Sequence, residues 1–478
     1  MSSLQGSVDL EANSPFRRPP ADAASYPAHW KGAPPAWLRG SVVRTCPAVF
    51  RTSGWESRHW FDALGALFAF RIAPEPRLDW RLLDCEMATL ARQGLARLAS
   101  FGTPMRRPWW RRLFQPIPRL TDNANVAVQA FGPGLVAMTE APRQALIDAG
   151  SLAVTGWVRY DDKLGHEAAP TAHPLPDFER RVIVNIAQVF GARPECVLYQ
   201  HPPGEFRRQV LGRWRVPELP YVHSFGLTPR QAVLIGQPLV VRPRTMLWSE
   251  RPYIDHFRWL PERGTRLVVF DRAGGEPRIA ETDACFVFHV ANAYEERDAL
   301  VVDALAYPDP GIVHELRTER LAQTLAGTPM TKPDYVRIRI PPTGRATVER
   351  RLSPGFEFPA IHYRRVAGRR HRFCWGADAW LSKGVSALFK LDVESGAART
   401  LRLEDWVVGE PLFVPAPAAD AEDAGVLLAV GSHATRDAAA LFVIDAATLD
   451  VIASAEAPVS VPLGFHGTFL RDAGPQLA

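Results

Sequence analysis

Cysteine is scarce in this chain and badly placed for any staple. There are five in 478 residues, Cys46, Cys85, Cys196, Cys285 and Cys374, far apart and with no CxxC pair among them. An odd number at such spacing excludes a disulfide framework and a zinc knuckle. It also implies a reducing compartment, with the cytoplasm as the expected location. Long apolar runs are missing too. The longest, such as QAVLIGQPLVV (231–241), are too short and too interrupted to span a bilayer. The opening MSSLQGSVDLEANSPFRRPP has no basic start followed by an apolar stretch, so no secretory leader is expected. Concentrated positive charge is rare as well. The net charge is +5, yet the arginines are scattered among acidic residues except in RRPWWRRLFQP (106–116) and RRHR (369–372), so no nucleic-acid partner is expected.

What remains is a chain of short pieces. With 43 prolines and 34 glycines, turns are frequent and long helical patterns few. Runs such as ALFAFRI (66–72), NVAVQAF (125–131), RVIVNIAQVF (181–190), CFVFHV (285–290), YVRIRI (335–340) and ALFVID (440–445) read as strands. Only 80–100 and 313–327 carry apolar residues at helical spacing. Many short strands without alternating helices predict an all-β fold, a large antiparallel barrel, sandwich or propeller, rather than a parallel α/β sheet. The Pro- and Ala-rich residues 1–35 read as an N-terminal arm, 36–478 as a single domain, and PAPAADAEDAG (415–425) as a surface loop.

Four histidines stand at the edges of, or inside, apolar β-type runs: His173, His223, His289 and His466, the last in PLGFHGTFL (462–470) close to the chain end. The gaps between them are too long for a local zinc motif. Singly, each has an ordinary reading as a hydrogen-bonded core histidine. Together they fit an arrangement in which separate strands aim one imidazole each at a common axis, with His466 tying down a tail that would otherwise fray.

PPAWLRGSVVRTCPAVF (34–50), HWFDALGALFAFRI (59–72), TDNANV (121–126), MTE (138–140), FEFPAIHY (356–363), GEPLFVP (409–415) and GFHGTF (464–469) resemble, in this order, the blocks of the carotenoid cleavage oxygenases. The resemblance implies a seven-bladed β-propeller with a helical and loop cap over the iron-bearing face. It implies that His173, His223, His289 and His466 hold one non-haem Fe(II), and that Glu140, Glu357 and Glu410 accept hydrogen bonds from the ligating imidazoles. No catalytic residue beyond the iron centre is expected. Four neutral imidazoles add no negative charge, which favours Fe(II), and leave two octahedral positions open. Zinc would more often recruit thiolates or three histidines and a water. Val126 and Thr139 correspond to positions near the open site in relatives. Stilbene-cleaving relatives tend to carry a lysine where this chain has Thr139. Thr45, Cys46 and Ala63 also depart from the usual motif, in turns rather than in the chemistry.

The function implied is an Fe(II)-dependent dioxygenase that cleaves a double bond of a carotenoid or apocarotenoid to aldehyde or ketone products. Its partners would be dioxygen and an apolar polyene threaded through a tunnel of aromatic and aliphatic side chains. The alternatives are a stilbene- or phenylpropenoid-cleaving dioxygenase of the same fold, or a propeller that binds a ligand without redox chemistry. RRPWWRRLFQP interleaves arginines with Trp109, Trp110, Leu113 and Phe114, a composition suited to peripheral membrane contact; the other reading is a loop whose aromatics pack on the cap. RRHR reads as an exposed, solvated turn.

Overall fold

Most of the short β-type runs form strands, and the strands pair antiparallel, from the four-stranded meander Ala127–Phe131, Gly134–Met138, Ala145–Ile147 and Val154–Trp157 to that of Phe286–Glu295, Leu300–Tyr307, Asp334–Ile340 and Thr347–Leu352. The computed structural model describes residues 9–73, 75–132, 134–162, 164–165, 168–378 and 386–472. Among them are seven sheets of four to six strands and one small sheet of three. The strand Gly40–Val49 is buried at every residue, its polar Ser41, Arg44 and Thr45 included, because its sheet packs between neighbours.

The two ends of the chain are exchanged between sheets. Gly467–Arg471 pairs with Gly40–Val49, while His29–Gly32 pairs with Val451–Ala457 and Ala23–Pro27 with Arg77–Leu82. The stretch read as an arm over 1–35 therefore contributes two edge strands to the sheets; its first eight residues, and 473–478 at the far end, lie outside the described residues. Proline at an edge strand costs no ladder bond, which is how Pro27 is accommodated and why the composition resembles a linker.

The helical stretches also differ in extent from the sequence reading. Over 80–100 only Glu86–Arg92 is helical; Arg77–Leu82 is a strand, and Gly94, at φ +71°, ends the helix against Gly54. Over 313–327 two short helices form, Gly311–Glu315 and Thr318–Leu325. RRHR is more than a solvated turn. Arg370 and Arg372 pair with Glu394 and Asp392 at 2.5 and 2.8 Å, Arg369 pairs with Glu179, and His371 is buried against Asn292.

The tail is held closely. At Gly467 a Cβ would lie 2.5 Å from both the Val43 carbonyl oxygen and Arg44 Cγ, and at Gly464 one would lie 2.8 Å from the Thr45 oxygen. These two glycines let PLGFHGTFL run against the strand Gly40–Val49. Gly467→Ala is accordingly expected to destabilise the fold by about 1–3 kcal/mol through overpacking. Gly134→Ala, with open space at its Cβ, should be near neutral, and denaturant midpoints of the two variants check this.

Candidate metal centre

His173, His223, His289 and His466 come together, their four candidate ligand nitrogens all within 4.8 Å of one another. His173 Nε2 lies 3.0 Å from His223 Nε2, and His289 Nε2 lies 3.1 Å from His466 Nε2. With metal–nitrogen bonds of about 2.1 Å, a pair at 90° would be about 3.0 Å apart and a tetrahedral pair about 3.4 Å. The two close pairs thus match octahedral edges.

Local irregularities aim these side chains. His173, His223 and His466 sit just before the strands Leu175–Asp177, Phe225–Leu227 and Gly467–Arg471. His289 lies within Phe286–Glu295, at the register shift between Val287 and Val290. There Phe288 and His289 face a single residue of the partner strand, and such a bulge redirects a side chain. A second shift, between Glu357 and Ala360, brings Phe358 to φ +54° and sets its ring 5.2 Å from that of His466.

Behind three of the imidazoles stand the three glutamates expected from the sequence. His289 Nδ1–H donates to Glu357 Oε2 at 2.5 Å, His466 Nδ1–H to Glu410 Oε1 at 2.8 Å, and His223 Nδ1–H to Glu140 Oε1. With the proton on Nδ1, each Nε2 lone pair is free to bind a cation. Burial pushes the His173 imidazolium well below its ordinary range, and burial lowers His466 to about 4 despite Glu410. Burial would raise the Glu410 carboxyl, but His466, Arg44 and the Gly467 N–H outweigh it and hold it below the usual range. Four imidazole nitrogens, two from buried and two from half-buried histidines, with no thiolate among them, form a donor set that could hold a divalent metal ion, ferrous iron included.

His223, His289 and His466 of the cluster line one wall of a cavity of about 700 Å³. Aromatic rings dominate its inner end, with Phe61, Phe101, Phe288, Phe358 and Phe465 facing the space. Val126 and Thr139 both line it, and the Val126 carbonyl accepts the His466 N–H at 3.0 Å. Ile117, Arg119 and Arg244 belong to its outer part.

Trp109, Trp110, Leu113 and Phe114 form a short helix, Trp109–Phe114, that buries none of its residues. Among the described residues ten large apolar side chains are exposed, and six of them, these four with Ile117 and Trp248, belong to this region. Trp248 N–H donates to the Pro116 carbonyl at 2.9 Å, which fastens the two segments together. The aromatics do not pack on the cap, and Ile117 carries the patch to the cavity. No helix among the described residues is long and apolar enough to cross a membrane.

Sequence reasoning missed the groups that hold the glutamates: Tyr307, whose hydroxyl donates to Glu357 at 2.7 Å, Tyr221, near Glu140 at 3.4 Å, and Arg44 on Glu410 at 3.1 Å. The tyrosines look like ordinary core residues in sequence. Arg44 did carry a signal, a cation inside the apolar run SVVRTCPAVF.

The model of the family described as retinal pigment epithelial membrane protein matches residues 17–471. The chain is 28% identical to a carotenoid isomerooxygenase of Galleria mellonella over 92% of each chain. It is 26% identical to an apocarotenoid-15,15'-oxygenase of Synechocystis, over 94% of this chain and 95% of the relative. Among solved structures, cobalt-substituted Synechocystis apocarotenoid oxygenase superposes with a TM-score of 0.82 at 22% identity, over 95% of this chain and 97% of that one.

Replacing any one of His173, His223, His289 or His466 by Ala is expected to abolish stoichiometric uptake of a divalent metal. Glu140→Gln, Glu357→Gln and Glu410→Gln should each weaken it by about 10- to 100-fold. Metal analysis and anaerobic competition with a chelator measure both effects; full occupancy in a histidine variant would contradict the assignment.

Proposed function

This chain belongs to the family described as retinal pigment epithelial membrane protein, the carotenoid oxygenases, and on that premise we propose that it is an Fe(II)-dependent dioxygenase cleaving a carbon–carbon double bond of a carotenoid or apocarotenoid. The observation that carries this reading is the cluster of four imidazoles at the wall of a large aromatic cavity. His173, His223, His289 and His466 would hold the iron, which when bound supplies the activation of dioxygen beside the alkene. Glu140, Glu357 and Glu410 fix the tautomer and ring angle of three of these histidines. Phe61, Phe101, Phe288, Phe358 and Phe465 exclude water and place the polyene by contact with their rings, so the bond cleaved is set by the depth to which the chain threads. Val126 puts methyl groups, not a hydroxyl, toward this space, and Thr139 offers no cation for a phenol, which favours a polyene over a hydroxystilbene. Seven antiparallel sheets with the chain ends exchanged between them support a seven-bladed propeller whose cap carries the helix Trp109–Phe114 and the small sheet. We read the sheets, with the edge strands Ala23–Pro27 and His29–Gly32 included, as one domain, working in the cytoplasm.

Oxygen consumption by the iron-loaded protein should be coupled to aldehyde or ketone formation from β-carotene or an apocarotenal, and be at least tenfold slower with a hydroxystilbene. Turnover of the stilbene alone would replace this reading by the phenylpropenoid one, and iron binding without any turnover would leave a ligand-binding propeller.

The exposed patch supports delivery of substrate from a lipid surface. A polyene resides in the bilayer, and an enzyme whose cavity mouth rests on that surface takes it up without crossing water. Arg106, Arg107, Arg111 and Arg112 flank the aromatics; near an anionic membrane each free cation adds about 1 kcal/mol of attraction, weakened by salt. Arg112, 3.5 Å from Glu250, contributes less. Changing Trp109, Trp110, Leu113 and Phe114 together to Ser should reduce binding to anionic liposomes and slow cleavage of β-carotene in vesicles severalfold. Cleavage of a detergent-dispersed short apocarotenal should be almost unaffected. Equal loss on both substrates would place the segment in the folded cap instead.

A further inference from the structure

The three carboxylates behind the imidazoles are not braced alike. Glu357 receives the Tyr307 hydroxyl at 2.7 Å, and Glu140 has the Tyr221 hydroxyl near it at 3.4 Å. Among the described residues Glu410 alone of the three is met by an arginine or lysine. Arg44 Nη1–H donates to Glu410 Oε2 at 3.1 Å and to the Phe465 carbonyl at 3.1 Å, while Nη2–H donates to the Glu410 carbonyl. The Gly467 N–H adds a bond to the same Oε2 at 3.0 Å, leaving Oε1 for His466.

Arg44 is 2% exposed and projects from Gly40–Val49, opposite Gly467. Its Nε is buried without a hydrogen-bond partner among the described residues. Its other two guanidinium nitrogens both reach Glu410, one through the carboxylate and one through the backbone carbonyl. Its orientation serves Glu410. The charges point the same way. With the three glutamates and the one guanidinium ionised, the cluster would carry two negative charges, the deficit that a divalent cation neutralises. Without the guanidinium a ferrous site would keep an uncompensated negative charge in a low-dielectric interior, which is costly and favours the ferric ion.

We propose that Arg44 is a positioning residue of the metal centre: through Glu410 it fixes the His466 imidazole, and its charge makes the buried cluster neutral with a divalent ion. This rests on the ferrous reading above and extends it to a residue outside the ligand set.

The test uses the full-length protein loaded anaerobically with Fe(II), read by chelator competition and by the ferrous/ferric midpoint potential. Arg44→Met should weaken Fe(II) binding by about 10- to 100-fold, in the range of losing an outer partner of a ligand. It should also favour ferric over ferrous iron by about tenfold, a fall of about 59 mV for a one-electron couple. Arg44→Met with Glu410→Gln should regain part of both, because the neutral amide still offers an oxygen to His466 and needs no cation. Arg44→Lys should keep the potential while losing affinity, since a point charge cannot bridge Oε2 and two carbonyls. If Arg44→Met does not fold, Arg44→Lys and the double variant carry the comparison. Wild-type affinity and potential in Arg44→Met would overturn the proposal, as would a double variant no better than the sum of its two changes or a potential in Arg44→Lys shifted as far as a charge loss would shift it. If the wild-type protein itself took up no Fe(II), the functional reading would fail first, an outcome distinguishable from normal uptake that Arg44 does not influence.

Discussion

Three imidazole–carboxylate hydrogen bonds carry this structure's geometry, because each ties together two different sheets. Glu140 follows a strand of the 127–157 meander and receives His223, which precedes Phe225–Leu227. Glu357 opens the sheet next in sequence to that of His289, and Glu410 lies between strands of the sheet that also takes in His29–Gly32, facing His466 of the sheet that closes on Gly40–Val49. Sheet packing alone is tolerant of small slides. A hydrogen bond with a buried ionised partner is worth about 1.5–3 kcal/mol and has a narrow range of good geometry. Three of them therefore convert a set of packed sheets into a fixed origin at which the Nε2 atoms converge.

That origin accounts for three departures from regular backbone that lie close to it. The bulge at Phe288 and His289, the positive φ of Phe358, and the glycines on either side of His466 all lie within this one neighbourhood. Each is unfavourable or neutral as local structure. Each turns a side chain, or lets a backbone approach, in a way that a regular strand could not. Strain collected at a site and over-determined by its surroundings is the expected sign of pre-organisation.

Legibility in the sequence followed the same division. The four histidines stand out at the edges of, or inside, apolar runs, whereas the three glutamates read singly as solvated strand ends and are picked out only by the family blocks they belong to. The aromatic patch at Trp109 to Phe114 was legible from composition, since arginines alternate with rings where a core segment would not place them. The residues that brace the site were not. Tyr221 and Tyr307 sit among apolar neighbours as any core tyrosine does, and only the fold reveals which hydroxyl meets a carboxylate. Helix extent failed at 80–100 because a strand ending at Leu82 and a seven-residue helix, joined end to end, imitate one amphipathic pattern. The strands Ala23–Pro27 and His29–Gly32 were hidden because edge strands tolerate the prolines and polar residues that mark linkers.

The imidazole cluster has two unlike sides. Behind it, the Nδ1 atoms of His223, His289 and His466 meet carboxylates, which in turn meet tyrosine hydroxyls, a guanidinium and a backbone N–H; this network fixes the tautomer and angle of those three rings. In front of it, the Nε2 atoms look toward a cavity lined by phenylalanine rings, Val126 and Thr139. The two sides share residues: Glu140 and Glu357 also line the cavity, and the Phe465 carbonyl accepts from Arg44. Changes at rings that also touch the imidazoles, such as Phe288 and Phe358, therefore alter the cavity and the site together, whereas Phe61 lines the cavity at one remove, in contact with Phe288 and Phe465. The shape of the cavity is separable from the geometry of the four imidazoles only at side chains of that second kind.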